Sequence, residues 1–388
     1  MSLKKNILEP VYKKIVGTLE CESTDLQTVR LDAKALYQLS KKHDLAHLIG
    51  DILHKNALLS IESEIKKRFI QERNMAIYRY EQINYELEES CRILEENEIP
   101  HIPLKGSVLR RYYPEPWMRT SCDIDILIKK EDLETAIQAL KKEGFQYEET
   151  QTHDAQMWAP SGVHFELHFD LIESDVAEKS AMVLAQAWER TKPCDGWKYR
   201  LEFDDAFFYF YHIAHMAKHF LIGGCGIRPF LDIWILKQYD SFCGEEIAAL
   251  LRRADLLTFA QHAEKLSKVW FGDASHNAVT KEMEEYIVQA GVYGSLDNRI
   301  ALKQAKIGGK KKHLLSRIFM PYAQLKTYYP KLEKYPILYP FYQVVRWFRI
   351  VFGKHNKHAF RELKSIATTK DERKERLITL CNNLGIKK

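Results

Sequence analysis

The stretch Asp123-Ile124-Asp125-Ile126-Leu127-Ile128 satisfies its apolar and charged members together only as a β-strand with one face buried. Successive side chains of a strand point to opposite faces, so Ile124, Ile126 and Ile128 share one face and Asp123 and Asp125 the other. Same-face neighbours stand about 7 Å apart, and flexible carboxylates at that separation converge on one hard cation or bridge two. Brought to about 5 Å they repel by roughly 3 kcal/mol at an effective dielectric near 20, so something positive belongs between them. A second alternating stretch, His164-Phe165-Glu166-Leu167-His168-Phe169, puts His164, Glu166 and His168 on one side. A sheet that laid this strand beside the first would gather Asp123, Asp125 and Glu166 into a set suited to two Mg²⁺ or Mn²⁺ ions holding a nucleoside triphosphate. His164 and His168 would either orient Glu166, touch the nucleotide or sit behind it as hydrogen-bond partners.

The segment leading into the first strand is cationic. Lys105 and Arg119 precede the carboxylates, and cations so placed either offset charge developing on a phosphate or are simply solvated. With Gly106-Ser107, Asp123-x-Asp125 and the later Glu166, this order resembles the nucleotidyltransferase superfamily of the DNA polymerase β type. The wording Pro103-Leu104-Lys105-Gly106, Arg119, Asp123–Ile128 and Phe165-Glu166-Leu167-His168 is similar to its nucleotidyltransferase family 5 branch, over roughly residues 30–240. The resemblance implies that Gly106 and Ser107 contact the triphosphate and that Asp123, Asp125 and Glu166 bind metal. The chain departs from the superfamily in the long connection between Ser107 and Asp123, which carries Arg110, Arg111 and Arg119.

The fold expected is α+β: a small mixed sheet flanked by N-terminal helices and followed by an all-helical region. The boundaries read as 1–97 for the N-terminal helices, 98–202 for the catalytic core, 203–300 for a helical lid and 301–388 for a basic, aromatic tail. Periodicity predicts two short helices over 32–57, one long helix over 62–97 and a helix over 131–143. Strands are expected at 99–104, 123–128, 145–149, 156–159 and 163–169, with Pro160-Ser161-Gly162 as a hairpin turn. Arg228 and Asp232, four apart, share a helix face.

Composition excludes several classes. Seven scattered cysteines without a CxxC pair argue against disulfides and thiolate zinc, and no apolar run is long enough to span a bilayer, so a cytoplasmic location is expected. A net charge of +5 from 58 basic and 53 acidic residues does not by itself call for nucleic acid. The excess is local, at Lys303, Lys306, Lys310, Lys311 and Lys312, and Gly308-Gly309-Lys310-Lys311-Lys312 reads as a solvated loop, with a binding patch as the alternative. The aromatic segment 338–352 is expected to pack into the helical domain, with a partner or membrane-surface contact as the alternative. His212, His215 and His219 share one face of the 204–220 helix and either pack in the core, line the cleft or bind a metal.

The function expected is transfer of a nucleotidyl group from ATP or another triphosphate to an unidentified acceptor (a small molecule, a peptide or protein side chain, or an RNA end) with release of pyrophosphate. The alternatives are a nucleotide sensor or scaffold on the same fold and a kinase-like γ-phosphoryl transferase.

Overall fold

The computed structural model describes residues 33–55, 62–172, 177–292, 294–307, 315, 318–352 and 371–386. Residues 1–32 and the Gly308-Gly309-Lys310-Lys311-Lys312 loop lie outside the described residues. Two short helices, α1 (Ala33–Lys42) and α2 (Ala46–Lys55), precede a long one, α3 (Ser63–Glu96), which contains neither Gly nor Pro. Gly50 lets α2 lie directly on α3, because a Cβ there would fall 2.1 Å from the Phe69 carbonyl oxygen.

Strands β1 (His101–Pro103), β2 (Asp123–Ile128), β3 (Gln146–Thr150), β4 (Asp154–Trp158) and β5 (His164–His168) form one sheet in the order β1-β2-β5-β4-β3. The β2–β5 pair is parallel and the others are antiparallel. The isoleucines of β2, with Ala155, Met157, Phe165 and Leu167, form an apolar face. Ile83, Leu87 and Leu94 of α3 and Ile137 and Leu140 of α4 (Leu133–Lys142) cover it. The opposite face is polar, and register sets its rows: Asp125 opposite Glu166 opposite Gln156, and His168 opposite Asp154.

Three features differ from the periodicity reading. β4 starts at Asp154, two residues early, because the His153 carbonyl accepts from Phe169 N and Asp170 N and carries the pairing past the apolar alternation. A second hairpin, β6 (Thr191–Pro193) with β7 (Leu201–Phe203), is too short and too proline-bound to show alternation. The segment around 338–352 forms a helix, Tyr339–Phe352, but does not sink into the core. Gln343 and Trp347 donate to the Met320 and Ile318 carbonyls, which turns Phe341, Val344 and Phe348 outward.

The helical half centres on α5 (Asp205–Ile222), started by the Asp204 side chain accepting from Phe207 N at 2.8 Å. It is apolar around most of its circumference, as expected for a helix buried between neighbours. Asp232 and Arg228 lie in the helix Arg228–Leu236, yet they do not pair: Asp232 holds Arg119, and Arg228 holds Asp44. Among the described residues no helix is long and apolar enough to cross a membrane.

Candidate active site

Leu104 N donates to the Asp125 carbonyl at 2.9 Å and extends the β1–β2 ladder, leaving Lys105 at the turn just beyond it. There Lys105 adopts φ +48° and ψ −120°, a region that favours glycine and costs a side-chain-bearing residue about 1–3 kcal/mol. The strained turn aims its ammonium at the polar sheet face, where Lys105 Nζ stands 2.7 Å from Asp125 Oδ1. His168 Nε2 meets the same oxygen at 2.8 Å and Glu166 Oε2 at 3.3 Å. His164 Nδ1 lies 3.6 Å from Glu166 Oε1. Asp125, Glu166 and His168 each offer a donor atom within 4.8 Å of the others. Asp123 stands outside that group, at the strand's more exposed end.

Burial opposes the charge on Asp125, Lys105 and His168, yet their mutual contacts outweigh it. The Lys105 ammonium and the His168 hydrogen bond overcome burial and hold the Asp125 carboxyl well below the usual carboxylate range. Against its own burial, Lys105 is held above its ordinary value by Asp125, Tyr211 and Glu166. His168 is likewise raised against burial by its bonds to Asp125 and Glu166. Asp123 is raised, first by burial and then by the neighbouring Asp125 charge.

Gly106 and Ser107 open the short helix Gly106–Leu109, where a Cβ on Gly106 would meet the Ser121 Cβ at 3.1 Å. The turn divides two cavities. Lys105 and His168 border a small one with Asp170, Tyr211, His215 and Lys218, while Ser107 borders one of about 640 Å³ with Arg110, Arg111, Lys192 and Arg200. Arg119, expected beside phosphate, is instead buried, with Nε and Nη2 on the two Asp232 oxygens at 2.6 and 2.9 Å. Burial opposes its charge, but Asp232 raises Arg119 above its ordinary value. The Tyr113 hydroxyl donates to the same carboxylate at 2.7 Å.

Of the three α5 histidines, His215 reaches the cleft, with its ring nitrogen 3.1 Å from His219. Burial, then Lys105, pushes it well below the usual imidazole value. His212 faces the Pro229 carbonyl at 3.2 Å. Sequence reasoning missed Asp154, Gln156 and His153 on the polar face; the alternation of Asp154, Gln156 and Trp158 against β5 was the available signal. It also missed Tyr211, which borders the Lys105–His168 cavity.

No curated protein and no solved structure matches the chain. A family described as uncharacterised nucleotidyltransferase matches residues 30–272, which span both strands of the carboxylate face, the Lys105 turn and α5. The chain therefore belongs to this nucleotidyltransferase family, whose name marks a general role in nucleotidyl transfer.

Proposed function

We propose that the chain transfers a nucleotidyl group from a nucleoside triphosphate to an acceptor, releasing pyrophosphate, at the polar face of β2 and β5. The observation that carries this reading is the convergence of Asp125, Glu166, His168 and Lys105 at one buried corner of the sheet. The donor set fits a hard divalent cation: Asp125 and Glu166 supply carboxylate oxygens side by side, Asp123 adds a third nearby, and Asp125 is kept ionised. Asp123, Asp125 and Glu166 would hold Mg²⁺ or Mn²⁺, which when bound neutralises triphosphate charge and lowers the pKa of an acceptor hydroxyl.

The protein's own groups divide the remaining work. Lys105 keeps its positive charge beside Asp125 and offers it to the phosphate chain. His168 clamps Asp125 in one orientation. Glu166, half-exposed on the same face, is the base placed to accept the acceptor's proton. Gly106 and Ser107 contact the triphosphate, whereas Arg119 acts at a distance by fixing the 119–123 approach to Asp232. A cavity of about 750 Å³ shares Ala214 and Lys218 with the Lys105–His168 cavity and offers room for the acceptor.

The test incubates the protein with Mg²⁺ and ATP, GTP, CTP or UTP while following pyrophosphate, nucleoside diphosphate and the melting temperature. A nucleotide- and metal-dependent melting shift with pyrophosphate release is expected, and both should vanish in Asp125→Asn. Diphosphate release would indicate γ-phosphoryl transfer, and a shift without turnover a sensor. Activity of Asp125→Asn within tenfold of wild type would remove the assignment.

A further inference from the structure

A second donor group lies behind the first. His153, Asp154 and His168 each place a ligand atom within 4.8 Å of the others. Asp154 is 2% exposed, and its Oδ1 has no hydrogen-bond partner, which is costly for a carboxylate oxygen in the interior. The nearest partner is His153 Nε2 at 3.9 Å, too long for a hydrogen bond. We propose that His153, Asp154 and His168 form a second metal site, built for a transition ion with mixed nitrogen and oxygen ligands, of which Zn²⁺ fits best.

The atoms of these side chains that would not face the ion are already engaged. Asp154 Oδ2 accepts from the Gln156 amide, leaving Oδ1. His153 Nδ1 lies 3.1 Å from the Thr152 hydroxyl, and its Nε2 is the nitrogen on the Asp154 Oδ1 side. His168 Nε2 is bound to Asp125 Oδ1 at 2.8 Å, leaving Nδ1. An imidazole held at one nitrogen by a carboxylate while the other binds metal is the arrangement that orients histidine ligands in zinc sites. The ligands' backbones are fixed as well: Asp154 and His168 are directly paired across β4 and β5, and the His153 carbonyl accepts from Phe169 N and Asp170 N. Two imidazoles and one carboxylate suit Zn²⁺ with an open fourth position, whereas Mg²⁺ prefers oxygen ligands and keeps its waters. The site would tie β4 to β5 and lock the ring that holds Asp125. Its existence does not depend on the reaction proposed above.

The experiment is a calorimetric titration of chelator-treated full-length protein with ZnCl₂ in the presence of millimolar MgCl₂. One Zn²⁺ per chain is expected. His153→Ala and Asp154→Asn should each abolish that binding, with folding checked by circular dichroism, while Glu166→Gln should retain it. X-ray absorption at the zinc edge of the wild-type complex should show two imidazoles, where an ion among Asp125, Glu166 and His168 would show one. Absence of stoichiometric binding, binding that survives both His153→Ala and Asp154→Asn, or a single imidazole in the absorption spectrum would overturn the proposal.

Discussion

Lys105 carries two separable burdens, a strained backbone and a buried charge. The φ of +48° would suit glycine, and only the pairing of Nζ with Asp125 explains a lysine there. Lys105→Ala keeps the strain and strands the Asp125 carboxylate, so it should lower stability by about 2–4 kcal/mol. Lys105→Gly should recover about 1 kcal/mol of that loss by relieving the strain, yet be equally inactive. Urea denaturation beside turnover separates the two burdens, and equal stability of the two variants would deny the strain. Asp125→Asn should also weaken the unliganded protein, by about 1–3 kcal/mol, because Lys105 and His168 lose the negative charge they share. That corner was readable in part. The repulsion between carboxylates called for a positive neighbour, and strand periodicity put Asp123, Asp125 and Glu166 on polar faces. What no periodicity could show is that Arg119 turns away to Asp232, since that depends on how α5 and the Arg228–Leu236 helix pack on the sheet.

At the scale of elements, the strands with strict alternation were legible and the short polar ones were not. The Gln151-Thr152-His153-Asp154 stretch has no apolar partner to reveal its register, so the start of β4 waits on its pairing with β5. Histidines buried at element joints give a pH signature of this packing. His43, at the end of α1, faces the Val288 carbonyl at 3.3 Å, and His101 in β1 faces the Ile99 carbonyl at 2.9 Å. Burial lowers each to about 4. Above pH 6.5 both are neutral in the folded and unfolded chain, and their contribution is complete. Between pH 6.5 and 4 the unfolded chain takes up protons that the folded chain excludes, so stability should fall by up to about 3 kcal/mol for each histidine. His168 runs the other way: its raised value gives stability that is complete below pH 6.5 and lost as pH rises through the folded value. Urea denaturation of wild type and His101→Leu at pH 7, 5.5 and 4 should show a shallower acid loss in the variant. Parallel curves would mean that His101 is protonated in the fold.

Over the whole molecule, the family's matched residues end at 272, but the packing does not. Tyr286 donates to the Phe220 carbonyl at 2.6 Å and stacks near the Phe220 ring, bracing the helix that carries Tyr211 and His215 to the cleft. Lys42 Nζ reaches the Val288 and Gln289 carbonyls, so α1 closes on the same segment. The helix Asp371–Asn383 docks beside them through Arg373 to Asn298 at 2.7 Å and buries Leu377 and Leu380, with Leu384 buried in the turn that follows. Its sequence is rich in charge, and its apolar residues gave no hint of a partner so far back along the chain. This packing makes opposite predictions for two apolar residues outside the matched region. Leu380 is 2% exposed, and Leu380→Ala should cost about 2–5 kcal/mol by leaving a cavity at a crowded junction. Phe341 is 60% exposed on the Tyr339–Phe352 helix, and Phe341→Ala should change stability by less than about 0.5 kcal/mol. Denaturant midpoints for the two variants decide the matter. If Leu380→Ala were as silent as Phe341→Ala, the last helix would be an appendage; a large loss there, accompanied by a weaker nucleotide-dependent melting shift, would make it part of the frame that holds α5 against the carboxylate face.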